Sequence, residues 1–414
     1  MRAKLPREPM RLPATVKALR QPIIVWAEIA LAIGSVAPIL GMPIIVGALQ
    51  DRWGYSAEYA GYVTSIDLAG LLAGSIGTSL LAHRVDWRWY VGAALVLSAA
   101  FNLLCAPFHG IVALCAFRFA AGSASGATYA SSLALLSRQR EPATAFSFLI
   151  LLQVLANAIV LFVFPLLSEH WGPAAIFAAI AAVMLASLGV VPWLPRRDAT
   201  PALAPLAPAA ETRTGDRRRI RLLPALCLAA VALFYLTIGS YWAYAERMGL
   251  EFGIAAEQVH WLLSAGVLLS AGACLSARAV AHRFGQSRAL LSALCLLSAT
   301  LLIHGWLPTP AMFVINLAVL QLCWNFIDIF QLGTLAIVDP SGRAAALVPA
   351  AQGAALAAGP AAAGFVLGRG QGYTAILLFG GIATASAAVT YAVVDRRYRR
   401  AARSIAAIPA QNAF

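Results

Sequence analysis

Charge is what this sequence most lacks. Of its 414 residues, 11% are Asp, Glu, Lys or Arg, while 61% are apolar. A soluble domain carries roughly 25% charged residues. A mean hydropathy of +0.79 therefore excludes a water-soluble fold, which must leave polar surface to face water. Acidic residues are scarcer still, 17 against 30 Lys and Arg, giving a net charge of +13. Cysteine is sparse as well. Cys105, Cys115, Cys227, Cys274, Cys295 and Cys323 fall in apolar stretches without a CxxC or His/Cys cluster, so neither a disulfide framework nor a metal site is indicated. A Walker-type phosphate loop, GxSxG and HExxH are all missing. No enzyme activity and no cofactor is expected.

What is present is a series of long apolar runs. A bilayer-spanning helix needs about 18 or more apolar residues. Hydropathy and breakers predict twelve spans, near 22–49, 57–82, 89–108, 111–137, 142–167, 173–194, 222–246, 255–281, 287–306, 310–338, 344–368 and 373–394. Residues 1–21 form a basic tail. The apolar segment from Pro22 to about Leu49 exceeds a signal h-region of about 7–15 residues, so it is expected to remain as the first span. Residues 195–221 (RRDATPALAPLAPAAETRTGDRRRIR and the Pro before them) have no apolar face and read as a linker, and 395–414 form a second basic tail.

The basic residues set a topology. Of the 30 Lys and Arg, all but Arg52, Arg247, Arg369 and the intraspan Arg118 belong to one side, shared by both termini and the linker. Such asymmetry is the positive-inside signature, which puts both termini in the cytoplasm of an inner-membrane protein. The basic residues then answer to topology and anionic lipid, and no nucleic-acid partner is expected.

An internal repeat decides the architecture. A shift of 199 residues, without a gap, lays Gly54 on Gly253, Ala57 on Ala256, Glu58 on Glu257 and Ser65 on Ser264, and Ala82-His83-Arg84 on Ala281-His282-Arg283. The chain reads as two six-helix halves, 22–194 and 222–394, in parallel orientation. Two such halves around a central cavity form a transporter plan.

Twelve spans, a long basic linker after the sixth and Arg-bearing loops after spans 2 and 8 resemble the major facilitator superfamily. Its most specific local match is Arg118-x3-Gly122-x3-Gly126 in span 4, which resembles the family's fourth-helix arginine–glycine motif. The loops holding Arg84, Arg88, Arg283 and Arg288 resemble its gating loops, with His83 and His282 where the family has Asp. The fifth-helix glycine–proline motif of drug/proton antiporters is absent from span 5, and a similar pattern occurs in span 11 as Gly353, Gly359-Pro360 and Gly364. The resemblance implies an all-α membrane fold, two pseudo-symmetric bundles with a cavity lined by spans 1, 4, 7 and 10, and gradient-driven transport by alternating access. The expected partners are a small organic solute, protons or a counter-substrate, and membrane lipids, with the chain acting as a monomer. Efflux of a drug or metabolite by proton antiport stands as an alternative, and a sensor or assembly factor of the same shape is one from another class.

Ionisable groups inside spans are expensive and mark function or a partner. Glu28, Asp67 and Asp328 are the candidates for proton coupling, although Glu28 is close enough to a span end to snorkel. Asp67 and Arg118 fall at matching depths, so they either pair statically or share a site. Arg118 is the candidate for an anionic solute. Span 10 is the most polar helix, and Gln321, Trp324, Asn325 and Asp328 share one face. Gln153 and Asn157 form a shorter stripe in span 5, either cavity wall or interhelical glue, and Asn102 reads as a packing contact. Tyr241, Trp242 and Tyr244 near the end of span 7 fit an aromatic belt, with Tyr235 and Tyr241 alternatively flanking a solute.

Overall fold

A computed structural model of the chain describes residues 14–81, 86–108, 110–139, 141–194, 217–339 and 344–406, all helices and connections without a strand. The helices are α1 (Ala14–Ser35), α2 (Ala37–Leu40), α3 (Met42–Trp53), α4 (Ala57–Leu81), α5 (Trp87–Leu104), α6 (Ile111–Leu136), α7 (Pro142–Trp171) and α8 (Pro173–Ser187). They continue as α9 (Arg217–Glu251), α10 (Ala256–Phe284), α11 (Gln286–Trp306), α12 (Pro310–Val338), α13 (Val348–Gly368) and α14 (Tyr373–Ala406). The first basic residues, Arg84 with its loop, most of the linker and the last residues of the second tail lie outside the described residues.

Ten of these helices are long and apolar enough to cross a membrane. Hydropathy predicts twelve spans, and the difference has two local causes. The first span is not one helix. Pro38 and Pro43 cannot donate a backbone N–H, and the chain bends at Val36 and Gly41 to start α2 and then α3. The third is α5, where Arg88 and Asn102 dilute an 18-residue helix. Its start is fixed by Asp86, which accepts from the N–H groups of Arg88 (2.9 Å) and Trp89 (3.4 Å) as an N-cap.

Lipid is written on the outside. Val112, Ile159, Leu275, Ile382 and Val389 are large, apolar and mostly exposed, which in water would be an aggregation surface and in a bilayer is the ordinary condition. Trp89, Trp171 and Trp306 stand exposed at helix ends, where indoles sit at a membrane interface.

Helices α1–α8 pack into one bundle and α9–α14 into another. The bundles meet mainly through three helix pairs, α3 with α9, α4 with α13, and α7 with α10. Two of these seams are related by the repeat. Gly54 and Gly253 both take positive φ (69° and 87°) before α4 and α10, a conformation that costs glycine little. About three turns later, Ser65 accepts from the Ala361 N–H of α13 at 2.7 Å, and Ser264 donates to the Ala158 carbonyl of α7 at 2.8 Å. The repeated serines thus do repeated work, each bonding into the other bundle.

Those contacts close one end of the molecule. Arg247 of α9 pairs with Asp51 of α3 there, Tyr244 donates to the Ala57 carbonyl at 2.6 Å, and His260 meets Glu246 at 2.8 Å. Gly61 of α4 lies so close to the Pro360 carbonyl of α13 that a Cβ would overlap it, and Gly47 of α3 does the same against the Glu246 carboxylate.

Candidate functional site

Between the bundles lies a cavity of about 690 Å3. Residues near the other ends of α4, α6, α7 and α13, among them Ser79, Leu133, Ile150 and Pro349, line it, so it extends away from the closed end. Helix α12 supplies its polar wall. Gln321, Asn325 and Asp328 recur at spacings of four and three, and Trp324 joins the same face, while Cys323, Ile327 and Phe330 bury the others. Helix α7 adds Gln153 and Asn157 opposite, and α9 adds Tyr235 and Trp242. Seven of the residues singled out from the sequence therefore face one space: Gln153, Asn157, Tyr235, Gln321, Trp324, Asn325 and Asp328.

Asp328 sits at the junction of three helices. Its Oδ2 accepts from the Tyr235 hydroxyl of α9 at 2.6 Å, and its Oδ1 lies 3.5 Å from the Gln352 Nε2 of α13. Among the described residues it has no ion-pair partner. Trp324 meets Trp242 edge-on, with centroids 5.9 Å apart and planes at 72°. The Trp242 N–H in turn reaches the Ile39 carbonyl of α2 at 3.4 Å, so one indole touches cavity, partner ring and opposite bundle.

Arg118 stands apart from this cavity. Its guanidinium is 2% exposed, donates to Asp67 Oδ2 at 2.5 Å and to Asn102 Oδ1 at 2.7 Å, and lies 5.3 Å from the centroid of the Phe177 ring. The glycines of its motif explain the meeting. A Cβ at Gly122 would overlap the Asp67 carbonyl, and one at Gly126 the Leu71 carbonyl. Only glycine lets α4 and α6 touch backbone to backbone, and that approach brings the carboxylate of one helix to the arginine of the other. Asn102, read from the sequence as a packing contact, is the third member of the cluster.

Other expected residues also fall elsewhere. Glu28 does not snorkel, because it is 1% exposed and accepts from Gln139 Nε2 at 2.8 Å, off the cavity. Tyr241, Trp242 and Tyr244 do not form a belt, since all three are buried where α9 packs between bundles. Tyr241 does not line the cavity, and its hydroxyl has no hydrogen-bond partner among the described residues. Arg88 donates to the Leu194 carbonyl at 2.7 Å within its own bundle, and Arg283 and Arg288 are exposed. Arg84 lies outside the described residues.

Sequence reasoning missed Tyr129 of α6 and Gln352 of α13, which complete the cavity lining. Gln352 was visible as an isolated amide in the Ala- and Gly-rich α13, and Tyr129 as an aromatic residue in the Ala-, Gly- and Ser-rich second half of α6.

Comparison with known proteins supports the same architecture. The profile described as Major Facilitator Superfamily matches residues 29–339. A mutant of the nucleoside transporter NupG superposes with a TM-score of 0.68 at 13% identity, covering 91% of this chain and 99% of that one. The POT family transporter PepTSo superposes with a TM-score of 0.70 at 11% identity, covering 92% and 98%. In sequence, the 4-hydroxybenzoate transporter PcaK of Pseudomonas aeruginosa is 33% identical over 96 residues, 23% of this chain and 21% of that relative's length.

Proposed function

Since the chain belongs to the Major Facilitator Superfamily, we propose that it carries a small organic solute across the inner membrane by alternating access, coupled to protons through Asp328. The observation that carries this reading is the placement of that carboxylate. It is the acid among the described residues lining the cavity, and its one short hydrogen bond comes from a phenol. A carboxyl can bind and release a proton as its surroundings change, and a wet cavity between two bundles gives it access to water.

Two further observations support the cycle. The bundles are sealed at one end by seams that the repeat relates, and the cavity opens toward the other, as an exchange of open and closed ends requires. The open end bears Arg88, Arg283 and Arg288, and the positive-inside rule then turns it to the cytoplasm with both termini. Asp67 and Glu28 each hold a hydrogen-bond partner away from the cavity, which favours Asp328 as the coupling residue. The lining also leaves no basic side chain for an anionic solute among the described residues, because Arg118 is engaged elsewhere.

The test is reconstitution into proteoliposomes holding a pH-sensitive dye, with a panel of small solutes presented under an imposed pH gradient. A solute that dissipates the gradient through the wild type, and not through Asp328→Asn, is expected. Solute-driven proton flux surviving in Asp328→Asn overturns the role of Asp328. Solute flux indifferent to the gradient overturns proton coupling.

A further inference from the structure

We infer that the solute is an organic cation, an ammonium or amidinium group on a flat apolar body, with Asp328 as its counter-charge and the ring of Trp324, braced by Trp242, as its bed. This rests on the reading of the cavity as the transport site, and it names the chemistry that site selects.

The lining is chemically lopsided. Four aromatic side chains face the space, Tyr129, Tyr235, Trp242 and Trp324, and its charged member among the described residues is Asp328. Aromatic faces carry negative potential and attract cations within about 6 Å, most strongly for tryptophan and most of all where water is excluded. Trp242 is 1% exposed and braces Trp324 through their edge-on contact, so the half-buried Trp324 offers the ring surface for a ligand. An ionised carboxylate beside such rings adds a second attraction of the same sign.

Among the described residues no cation competes for that carboxylate, which receives only the Tyr235 hydroxyl and, more distantly, the Gln352 amide. The ionisable side chains around Asp328 are tyrosines: Tyr235 of α9, its neighbour Tyr129 of α6, and Tyr391 of α14. The contrast with Asp67 is direct, because Asp67 already holds the guanidinium of Arg118. A bilayer-embedded carboxylate without a cation of its own is a vacancy of charge that a ligand can fill.

The remaining polar groups are neutral amides, which suit the N–H groups of a cation or a neutral polar flank. Gln321 is 2% exposed, and its Nε2, which has no hydrogen-bond partner among the described residues, is a donor for an acceptor on the neutral flank of the solute. The Asn157 Oδ1 is likewise unpartnered on the opposite wall. At about 690 Å3 the cavity is within the ordinary range for a small organic ligand. A bound cation and a proton exclude each other at one carboxylate, so under this assignment the two move in opposite directions.

Three probes that share one ring and differ in charge test the assignment: benzyltrimethylammonium, benzyl alcohol and benzoate. Binding to the purified full-length protein is read by tryptophan fluorescence and by thermal stability, without any gradient. The wild type is expected to prefer benzyltrimethylammonium over benzyl alcohol by about tenfold or more, with benzoate weakest. Asp328→Asn should erase the charge preference, Asp328→Glu should keep it, and Trp324→Leu should weaken the cation while sparing folding. Equal binding of all three probes, tighter binding of benzoate, a preference unchanged in Asp328→Asn, or binding of none overturns the cation site. The transport reading fails separately. Cation binding that needs Asp328, in liposomes that show no solute-driven proton flux, leaves the site and removes the cycle, whereas proton-coupled flux of an anion does the reverse.

Discussion

Two aspartates lie inside the membrane-spanning part of this molecule, and their surroundings are opposite. Asp67 on α4 is clasped by Arg118, which also holds Asn102, and the glycines of α6 bring the partners together. Asp328 on α12 looks into the cavity and receives a phenol and, more distantly, an amide. The first environment supplies a permanent counter-charge and seals it off. The second supplies hydrogen bonds without a charge and leaves the way open. Under the proposed function, identical side chains are thereby divided between holding helices and meeting what enters, and the division is made by the neighbouring helix, since the aspartate itself is the same.

Exchanging each carboxylate for its amide should break the pair most visibly. Asp328→Asn is expected to bring proton-driven accumulation in proteoliposomes to background while the protein melts as the wild type does. Asp67→Asn should do the reverse, lowering stability and sparing coupling in whatever folds. Loss of accumulation in Asp67→Asn at wild-type stability would erase the distinction. Next in size is Arg118→Ala, which strips the charge from a buried pair and should cost about 3–5 kcal/mol in denaturant or thermal melts. Adding Asp67→Ala should return part of that loss, and a double variant no better than the single would show that the pair was not the cause. Gly122→Ala tests the backbone approach that creates the pair. Its Cβ would meet the Asp67 carbonyl, so a cost of about 1–3 kcal/mol is expected, measured the same way. Smallest should be Tyr235→Phe, which removes one interhelical hydrogen bond worth about 0.6 kcal/mol on average in membranes. It should shift solute affinity by a few-fold at most, and a complete loss of binding would make the phenol itself part of recognition.

Much of this was legible in the sequence, for reasons that differ by residue. Apolar length announces membrane helices regardless of their neighbours, and the 199-residue repeat marked Ser65 and Ser264, which turn out to bond across equivalent seams. Equal depth in two parallel spans was enough to bring Asp67 and Arg118 together. The spacing within α12 likewise gathered Gln321, Trp324, Asn325 and Asp328 onto one face. Depth and spacing do not say which way a helix is turned, however. Arg118 is at a plausible height on a plausible helix, yet faces α4 and α5 instead of the cavity. The same limit hid Tyr129 and Gln352, which belong to no polar stripe that would orient them. The interruption of the first span was hidden for another reason: its hydropathy is continuous, while Pro38 and Pro43 break its hydrogen bonding, which hydropathy does not register.

The seam between α4 and α13 has a consequence for how the closed end can part. Gly61 sits on the Pro360 carbonyl, with the Tyr244 hydroxyl packed beside both. Drawing such surfaces apart by even 0.5–1 Å forfeits about a quarter to a half of the contact energy, and a gap of that width is too thin for water to enter and replace what is lost. A slight opening is therefore dry and costly, and relief comes only when the gap is wide enough to wet. Under the proposed alternating access, that end would have two resting positions and a steep ridge between them. Records of single molecules labelled across that seam should show abrupt jumps between two dwell levels, with no slow drift from one to the other.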